Sequence, residues 1–69
     1  MEIIYSSHAE KRMKQRGITK QEVEHIIEYH SYIKKSFEGT KEVLGTVRNR
    51  IIKIKFIEKE NYIKIITII

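Results

Sequence analysis

The spacing of apolar residues changes near Tyr32, and this change constrains the fold more than any other feature of the sequence. Before Tyr32 the chain is rich in Glu, Lys, Arg and His, whereas Ile, Val, Phe, Tyr and Thr dominate after it. Apolar residues at helical spacing predict helices in the first part, and alternation predicts strands in the second. A chain of 69 residues fits a single domain, over residues 1–69. The sequence therefore predicts an α+β fold.

The first helix is predicted from its start and stop signals. Ser7 and Glu10 have the spacing of a capping box, so we expect Ser7 to be the N-cap and the helix to begin at about His8. Gly17 is expected to end it, because glycine accepts the left-handed conformation that closes a helix.

A second capping box predicts the second helix. Thr19 and Glu22 have the required spacing, and the helix is expected to run to about Tyr29. Four residues follow at positions i, i+3, i+4 and i+7, which is the spacing of one face of an amphipathic helix. These residues are Val23, Ile26, Ile27 and His30.

The remaining segments predict strands separated by polar turns. We expect a short N-terminal strand, then two helices packed on one face of a 3–4 stranded antiparallel sheet, in the order β-α-α-β-β-β with room for one more strand. The most apolar strand, at the C-terminal end, is expected inside the sheet. The predicted strands are Glu2–Tyr5, Tyr32–Phe37, Glu42–Arg48, a segment around Ile52–Phe56, and Tyr62–Ile69, with turns at 38–41, Asn49 and 58–61.

The charge of the chain predicts an anionic partner. The net charge is +5 and the calculated pI about 9.6, which suits RNA, DNA or an acidic protein, although a solvated lysine-rich surface is the alternative. No cysteine is present, and no histidine pair has the i, i+4 spacing of metal ligands, so we expect no metal and no cofactor. Neither a signal peptide nor a membrane-length apolar run is recognisable, which predicts a soluble cytoplasmic protein.

One stripe of the first helix carries the residues most suited to chemistry. His8, Arg12 and Arg16 are four residues apart and lie nearly above one another on a helix. Histidine transfers protons near neutral pH, and arginine matches a phosphate with a fixed fork of donors. Together they suit RNA cleavage without a metal, with a proton-transfer group beside cations that stabilise the phosphorane.

Structural explanations of the same residues remain open. Arg12 and Arg16 are also expected to be able to pair with a glutamate, at position 10, 22 or 24. His8 in the first helical turn is alternatively a residue at the border of the core that forms a hydrogen bond with the backbone. His25 is expected to be exposed, and His30 to be a hydrogen-bonded histidine at the edge of the core.

Three further basic residues fall on predicted strands and are candidate phosphate contacts. Lys53 and Lys55 alternate with apolar residues, so they share one face of their strand. Arg48 lies at the end of the preceding strand. A solvated sheet face is the alternative explanation for all three.

The N-terminal segment resembles the opening of a family of small bacterial and archaeal domains of unknown function. Their signature is HA-x-x-R-x-x-x-R-G-I-[ST], and the matching residues run from His8 to Thr19. Thr67 in the last strand matches a threonine that is frequent in that family. These domains are similar to RelE/ParE/BrnT-like toxins of toxin–antitoxin systems, which have a barnase-like or colicin-like RNase fold.

The resemblance implies a RelE-like ribonuclease, or an RNA-binding domain derived from one, with an acidic antitoxin as a partner. The implied site is His8, Arg12 and Arg16, together with Thr67. The chain departs from better-known toxins in lacking a Tyr or His in its last strand. A non-catalytic nucleic-acid- or protein-binding module is the alternative function. The apolar ending at 68–69 additionally favours a homodimer.

Overall fold

The computed structural model describes residues 2–35 and 39–69. It has two helices and five strands, and the helices follow directly after the first strand. The elements are β1 (Glu2–Tyr5), α1 (Ser7–Arg16), α2 (Lys20–Glu28), β2 (Tyr32–Lys35), β3 (Thr40–Val47), β4 (Arg50–Glu58) and β5 (Tyr62–Ile68).

Helix α1 begins one residue earlier than its sequence signal predicts. The N-cap is Ser6 and not Ser7, because the Ser6 Oγ accepts a hydrogen bond of 3.0 Å from the backbone N–H of Ala9. The predicted end is confirmed. Gly17 adopts φ 67°, and the N–H of Ile18 bonds the carbonyl of Met13 at 2.9 Å, which closes the helix in the manner of a Schellman motif.

Helix α2 begins at the predicted capping box. The Thr19 Oγ1 accepts from the N–H of Glu22 at 3.2 Å, and the Glu22 Oε1 accepts from the N–H of Thr19 at 2.8 Å. Both orphan donors at this helix start are therefore satisfied. His30 lies just beyond the helix, where its Nδ1 is 3.0 Å from the carbonyl oxygen of Ile27, in agreement with a histidine at the core edge.

The α+β class is confirmed, and the sheet is larger than expected. Its five strands have the order β1-β5-β4-β3-β2. Pairings β2–β3, β3–β4 and β4–β5 are antiparallel, whereas β1 runs parallel to β5. The sheet is therefore mixed, where an antiparallel sheet of 3–4 strands was predicted. The predicted interior position of the last strand is confirmed, because β5 lies between β1 and β4.

Strand β3 begins at Thr40, inside the segment predicted as a turn at 38–41. Phe37 and Glu38 lie outside the described residues. The predicted turn at Asn49 is confirmed as a two-residue hairpin. Arg48 and Asn49 both have positive φ, at 51° and 63°, as a type I′ turn requires.

A bulge in β5 determines where α1 packs. Lys55 pairs with Thr67 and Phe56 with Ile65, so Ile66 is the additional residue. The Ile66 carbonyl accepts a hydrogen bond of 2.8 Å from the Ser6 Oγ, and the Ile65 carbonyl accepts one of 3.0 Å from the Ser6 N–H. The start of α1 is thereby fixed to the edge of β5, just beyond the residues that pair with β1.

Both helices cover the same face of the sheet, and the core lies between the two layers. Apolar residues of α1, α2 and the three central strands are buried there. Neither α1 nor α2 covers the opposite face, which we call the open face. The buried residues are Ala9, Met13, Ile18, Val23, Ile26, Val43, Ile52, Ile54, Phe56, Ile63, Ile65 and Ile68.

Candidate functional site

Arg12 lies where α1 crosses the exposed edge of β5. Its Nε donates a hydrogen bond of 3.2 Å to the carbonyl oxygen of Ile68. Strand β1 pairs with β5 only as far as Ile65, so this carbonyl lies on an edge that no strand covers. The contact takes one guanidinium nitrogen of the half-buried Arg12 and orients the group, while its two terminal nitrogens make no bond within the described residues.

Arg16 continues the same flank of α1 toward the start of β4. Its backbone carbonyl accepts a hydrogen bond of 2.7 Å from the Nη2 of Arg50. This contact brings a third arginine to the flank, and all three side chains are half-buried. The surface formed by Arg12, Arg16 and Arg50 is called the arginine flank below.

Arg50 was not recognised as a site residue from the sequence, although a signal for it exists. It lies two residues before Ile52 and belongs to the same alternating series of β4. Alternation places it on the core face, where the helices pack. Extending the series by one step at the hairpin would have predicted its proximity to α1.

The carboxylates that were expected to pair with Arg12 and Arg16 are engaged elsewhere. Glu10 pairs with Lys20 at 3.7 Å and Glu22 with Arg48 at 2.7 Å. The Tyr5 hydroxyl donates to Glu24 at 3.5 Å. The three ion pairs among the described residues include no member of the arginine flank.

The free guanidinium atoms of the flank are accessible to solvent. No buried side-chain nitrogen or oxygen within the described residues lacks a hydrogen-bond partner. The nitrogens of Arg12 and Arg16 that make no bond are therefore in contact with water. An arginine held by its neighbours but left without a counter-ion is suited to bind an external anion.

His8 belongs to the same stripe but is differently situated. It lies in the first turn of α1 and is exposed, and within the described residues its ring makes no hydrogen bond, ion pair or ring contact. Position 8 lies farther round the helix from the buried Ala9 and Met13 than positions 12 and 16 do. Nothing in this environment orients the imidazole as catalysis by a positioned base requires.

Arg48 has a structural role. Its Nε contacts the Glu22 carboxylate at 2.7 Å, and its Nη2 donates to the Gly17 carbonyl at 2.8 Å. These bonds join the β3–β4 hairpin to the connection between the helices. The pKa of Glu22 is lowered mainly by the hydrogen bond from the backbone N–H of Thr19, and the positive charge of Arg48 lowers it further.

The other candidate residues lie on the open face, away from the arginine flank. Lys55 faces Thr67 on β5 and Glu42 on β3. Lys53 faces Leu44 and borders a shallow depression of about 140 Å³. The structure thus separates the predicted site into two surfaces on opposite sides of the sheet, and it does not bring His8, Arg12 or Arg16 together with Lys53 or Lys55.

A larger groove of about 570 Å³ lies on the other side of α1, toward α2. Its lining combines an apolar floor with charged residues, namely Glu10, Lys11, Met13, Lys14, Ile18 and Lys20. Glu10 and Lys20 pair across it. Within residues 2–35 and 39–69 no three potential metal ligands come together.

Tyr5 has the most strongly shifted pKa near the helices. Burial, followed by the proximity of Glu24, raises the pKa of its hydroxyl to about 12. The single proton of this hydroxyl is shared between the Glu24 carboxylate and the Lys20 carbonyl, which lies 3.4 Å away. Its contacts join β1 to α2, which is a structural role.

The fold and its unpaired arginines define a small, basic, two-layer α+β domain. The chain belongs to the DUF4258 family, a domain of unknown function, whose sequence model matches residues 5–69. This confirms the expectation of a small domain-of-unknown-function family. Neither the curated proteins nor the solved structures contain a match to the chain. Among the described residues, no helix has both the length and the apolar character needed to span a bilayer.

Proposed function

We propose that this domain binds RNA through the arginine flank of α1. The observation that carries the proposal is that Arg12, fixed by the Ile68 carbonyl, and the half-buried Arg16 have no carboxylate partner among the described residues. The nearby glutamates pair with other residues, so the guanidinium groups of Arg12 and Arg16 stay available to bind phosphate.

The spacing of the flank fits a nucleic-acid backbone. Residues four apart on a helix are separated by about 6 Å along its axis. This spacing would allow Arg12 and Arg16 to contact neighbouring phosphates of one strand. The net charge of +5 adds a long-range attraction toward any polyanion.

Choosing RNA over DNA rests on the resemblance to RelE/ParE/BrnT-like toxin ribonucleases. In a toxin ribonuclease, His8 would transfer the proton while Arg12 and Arg16 stabilise the phosphorane. The exposed and unpartnered ring of His8 favours binding over cleavage. We therefore propose binding as the function, with cleavage as a separate outcome of the same experiment.

The test is fluorescence anisotropy with labelled single-stranded RNA and DNA over a series of KCl concentrations. Each phosphate contact contributes about 0.7 to the slope of log K against log salt for a single strand. Replacing Arg12 and Arg16 by glutamine should reduce the slope by about 1.4 and weaken binding. The control Lys59→Gln/Lys64→Gln removes the same charge from exposed positions outside the flank and should leave the slope nearly unchanged.

Equal losses in both double variants would contradict the proposal, since they would show attraction by net charge alone. Incubation of the same RNA with the protein in EDTA tests cleavage. Products that disappear in a His8→Ala variant would establish a ribonuclease, and uncut RNA that is still bound would establish a binding module. Tighter binding of DNA than of RNA would reject RNA as the ligand.

A further inference from the structure

Strand β2 has an unpaired outer edge that is independent of the arginine flank. It is the last strand of the sheet, and no other strand of the described residues pairs on its outer side. All four of its residues are exposed, and Tyr32 and Ile33 retain 54% and 45% of their accessible surface. Unpaired backbone groups beside exposed apolar side chains form a template for another strand.

The direction of the backbone groups follows from the other end of the sheet. Lys53 and Ile69 exchange both backbone hydrogen bonds, at 3.1 and 2.8 Å, so the backbone of Lys53 points to β5. Because these groups alternate along a strand, those of Ile54 point to β3 and bond Val43. The backbone N–H and C=O of Val43 therefore point away from β2. Those of Ile33, which pairs with Val43, point to the unpaired outer side of β2.

The side chains of β2 determine what this edge can accept. Lys35 lies two residues beyond Ile33, so its backbone groups also point outward. The side chain of Lys34 lies on the open face beside Glu42, and that of Lys35 lies on the helix face. Both lysines are exposed and form no ion pair within the described residues. The edge thus presents one free cation on each face.

We propose that the β2 edge binds an extended segment of a partner protein that carries two adjacent acidic residues. In an added strand, adjacent residues point to opposite faces, so two neighbouring carboxylates reach Lys34 and Lys35 together. The exposed Tyr32 and Ile33 provide apolar contacts next to this pair. Pairing between two copies of β2 in a register centred on 34–35 would place lysines opposite lysines, so the charges of this edge favour an acidic partner over a second copy.

The test uses two capped eight-residue peptides of alternating Thr and Val, with either Glu-Glu or Lys-Lys at the centre. Each is titrated into the full-length protein and followed by amide-resolved NMR and hydrogen exchange. The acidic peptide should protect the outward amides of Ile33 and Lys35. We expect it to bind about tenfold more tightly than the basic peptide, because two cross-strand charge pairs change from attraction to repulsion.

Charge reversal supplies the matched control. In Lys34→Glu/Lys35→Glu the preference should invert, so that the basic peptide protects the same amides. A Lys59→Glu/Lys64→Glu variant has the same net charge and should keep the preference for the acidic peptide. Ile33→Pro removes an outward donor without removing a ladder bond, and should abolish binding while the amide spectrum of β3–β5 is retained.

Four results would overturn the proposal. These are equal binding of both peptides, protection located away from β2, no protection at the highest soluble peptide concentration, and self-association of the wild-type protein through the same amides. Stronger protection of Ile33 and Lys35 by a single-stranded RNA would assign the edge to nucleic acid instead. The variants do not alter the arginine flank. Peptide binding can therefore be absent while RNA binding persists, and RNA binding can be absent while peptide binding persists.

Discussion

The close approach of α2 to β3 predicts an energetic coupling between Gly45 and Ile26. A Cβ atom placed on Gly45 would lie 2.7 Å from the Cγ2 and 3.0 Å from the Cγ1 of Ile26. Non-bonded carbon atoms are optimally separated by about 3.5–4.0 Å. The added methyl group would therefore lie nearly 1 Å too close to the Ile26 side chain. Ile26 retains 1% of its accessible surface, and a β-branched side chain in a helix has one strongly preferred rotamer. The helix itself must move.

We expect Gly45→Ala to destabilise the protein by about 1–3 kcal/mol, the range for an overpacked core. Ile26→Ala alone should cost about 2–5 kcal/mol, because it removes a fully buried side chain. Ile26→Ala also deletes both of the closest atoms. In that background only the contact of 3.2 Å to the Cβ of residue 26 remains, so Gly45→Ala should lose most of its cost, and the lower entropy of the unfolded chain offsets part of the rest.

The double-mutant cycle therefore predicts a coupling of about 1–3 kcal/mol in favour of the double variant. Ile26→Val is the control, because valine lacks only the Cδ1 atom and keeps the Cγ1 and Cγ2 that would clash. In the Ile26→Val background, Gly45→Ala should keep its full cost.

Urea unfolding followed by circular dichroism measures all six proteins. A domain of this size is stable by only about 3–5 kcal/mol, so an excluded osmolyte in every sample keeps the weakest variants folded. A neutral Gly45→Ala in the wild-type background would show that α2 does not lie so close to β3. An equal cost in the Ile26→Ala and wild-type backgrounds would show that Ile26 is not the cause.

Three further predictions concern the helix start, the hairpin and the pH dependence of stability. Ser6→Ala should cost about 0.5–2 kcal/mol of unfolding free energy, whereas Ser7→Ala should have little effect; equal effects in thermal unfolding would contradict the assigned cap. Asn49→Ala should cost about 1 kcal/mol because φ is positive there, and Asn49→Gly should not; urea midpoints compare the two. The pKa of Glu22 is lower in the folded state, so its contribution to stability is present above the unfolded pKa and is lost as pH falls through the folded one. Glu22→Gln should flatten the loss of stability on acidification, and an unchanged pH profile would refute this role.

The local structure was largely predictable because its signals are local. Gly17 and the box of Thr19 and Glu22 determine the helix boundaries through bonds within a few residues. The alternation of apolar residues in β4 likewise records its buried face. The cap at Ser6 was missed because two adjacent serines offer the same hydroxyl, and the choice depends on a bond to Ile66 that is distant in sequence.

The sheet order was less predictable because it depends on pairings between distant residues. Strand β1 is four residues long and pairs in parallel with β5, about sixty residues later in the chain. Parallel pairing has no hairpin turn to mark it in the sequence. The pairing of Arg48 with Glu22 is hidden for the same reason, because it joins a strand end to a helix start.

The position of the arginine flank follows from the bulge at Ile66. Ladder pairing between β4 and β5 shifts by one residue between Phe56 and Lys55, and the last residues of β5 extend past β1, whose pairing ends at Ile65. Ser6 bonds the beginning of that edge and Arg12 bonds its end, at the Ile68 carbonyl. The side chains of Ser6 and Arg12 thus donate to β5 carbonyls beyond the end of β1, and the bond to Ile68 orients Arg12. A helical stripe read from sequence identifies the residues four apart, but only the bulge determines that Arg12 is held by a backbone carbonyl, which leaves its remaining donors free for an external anion.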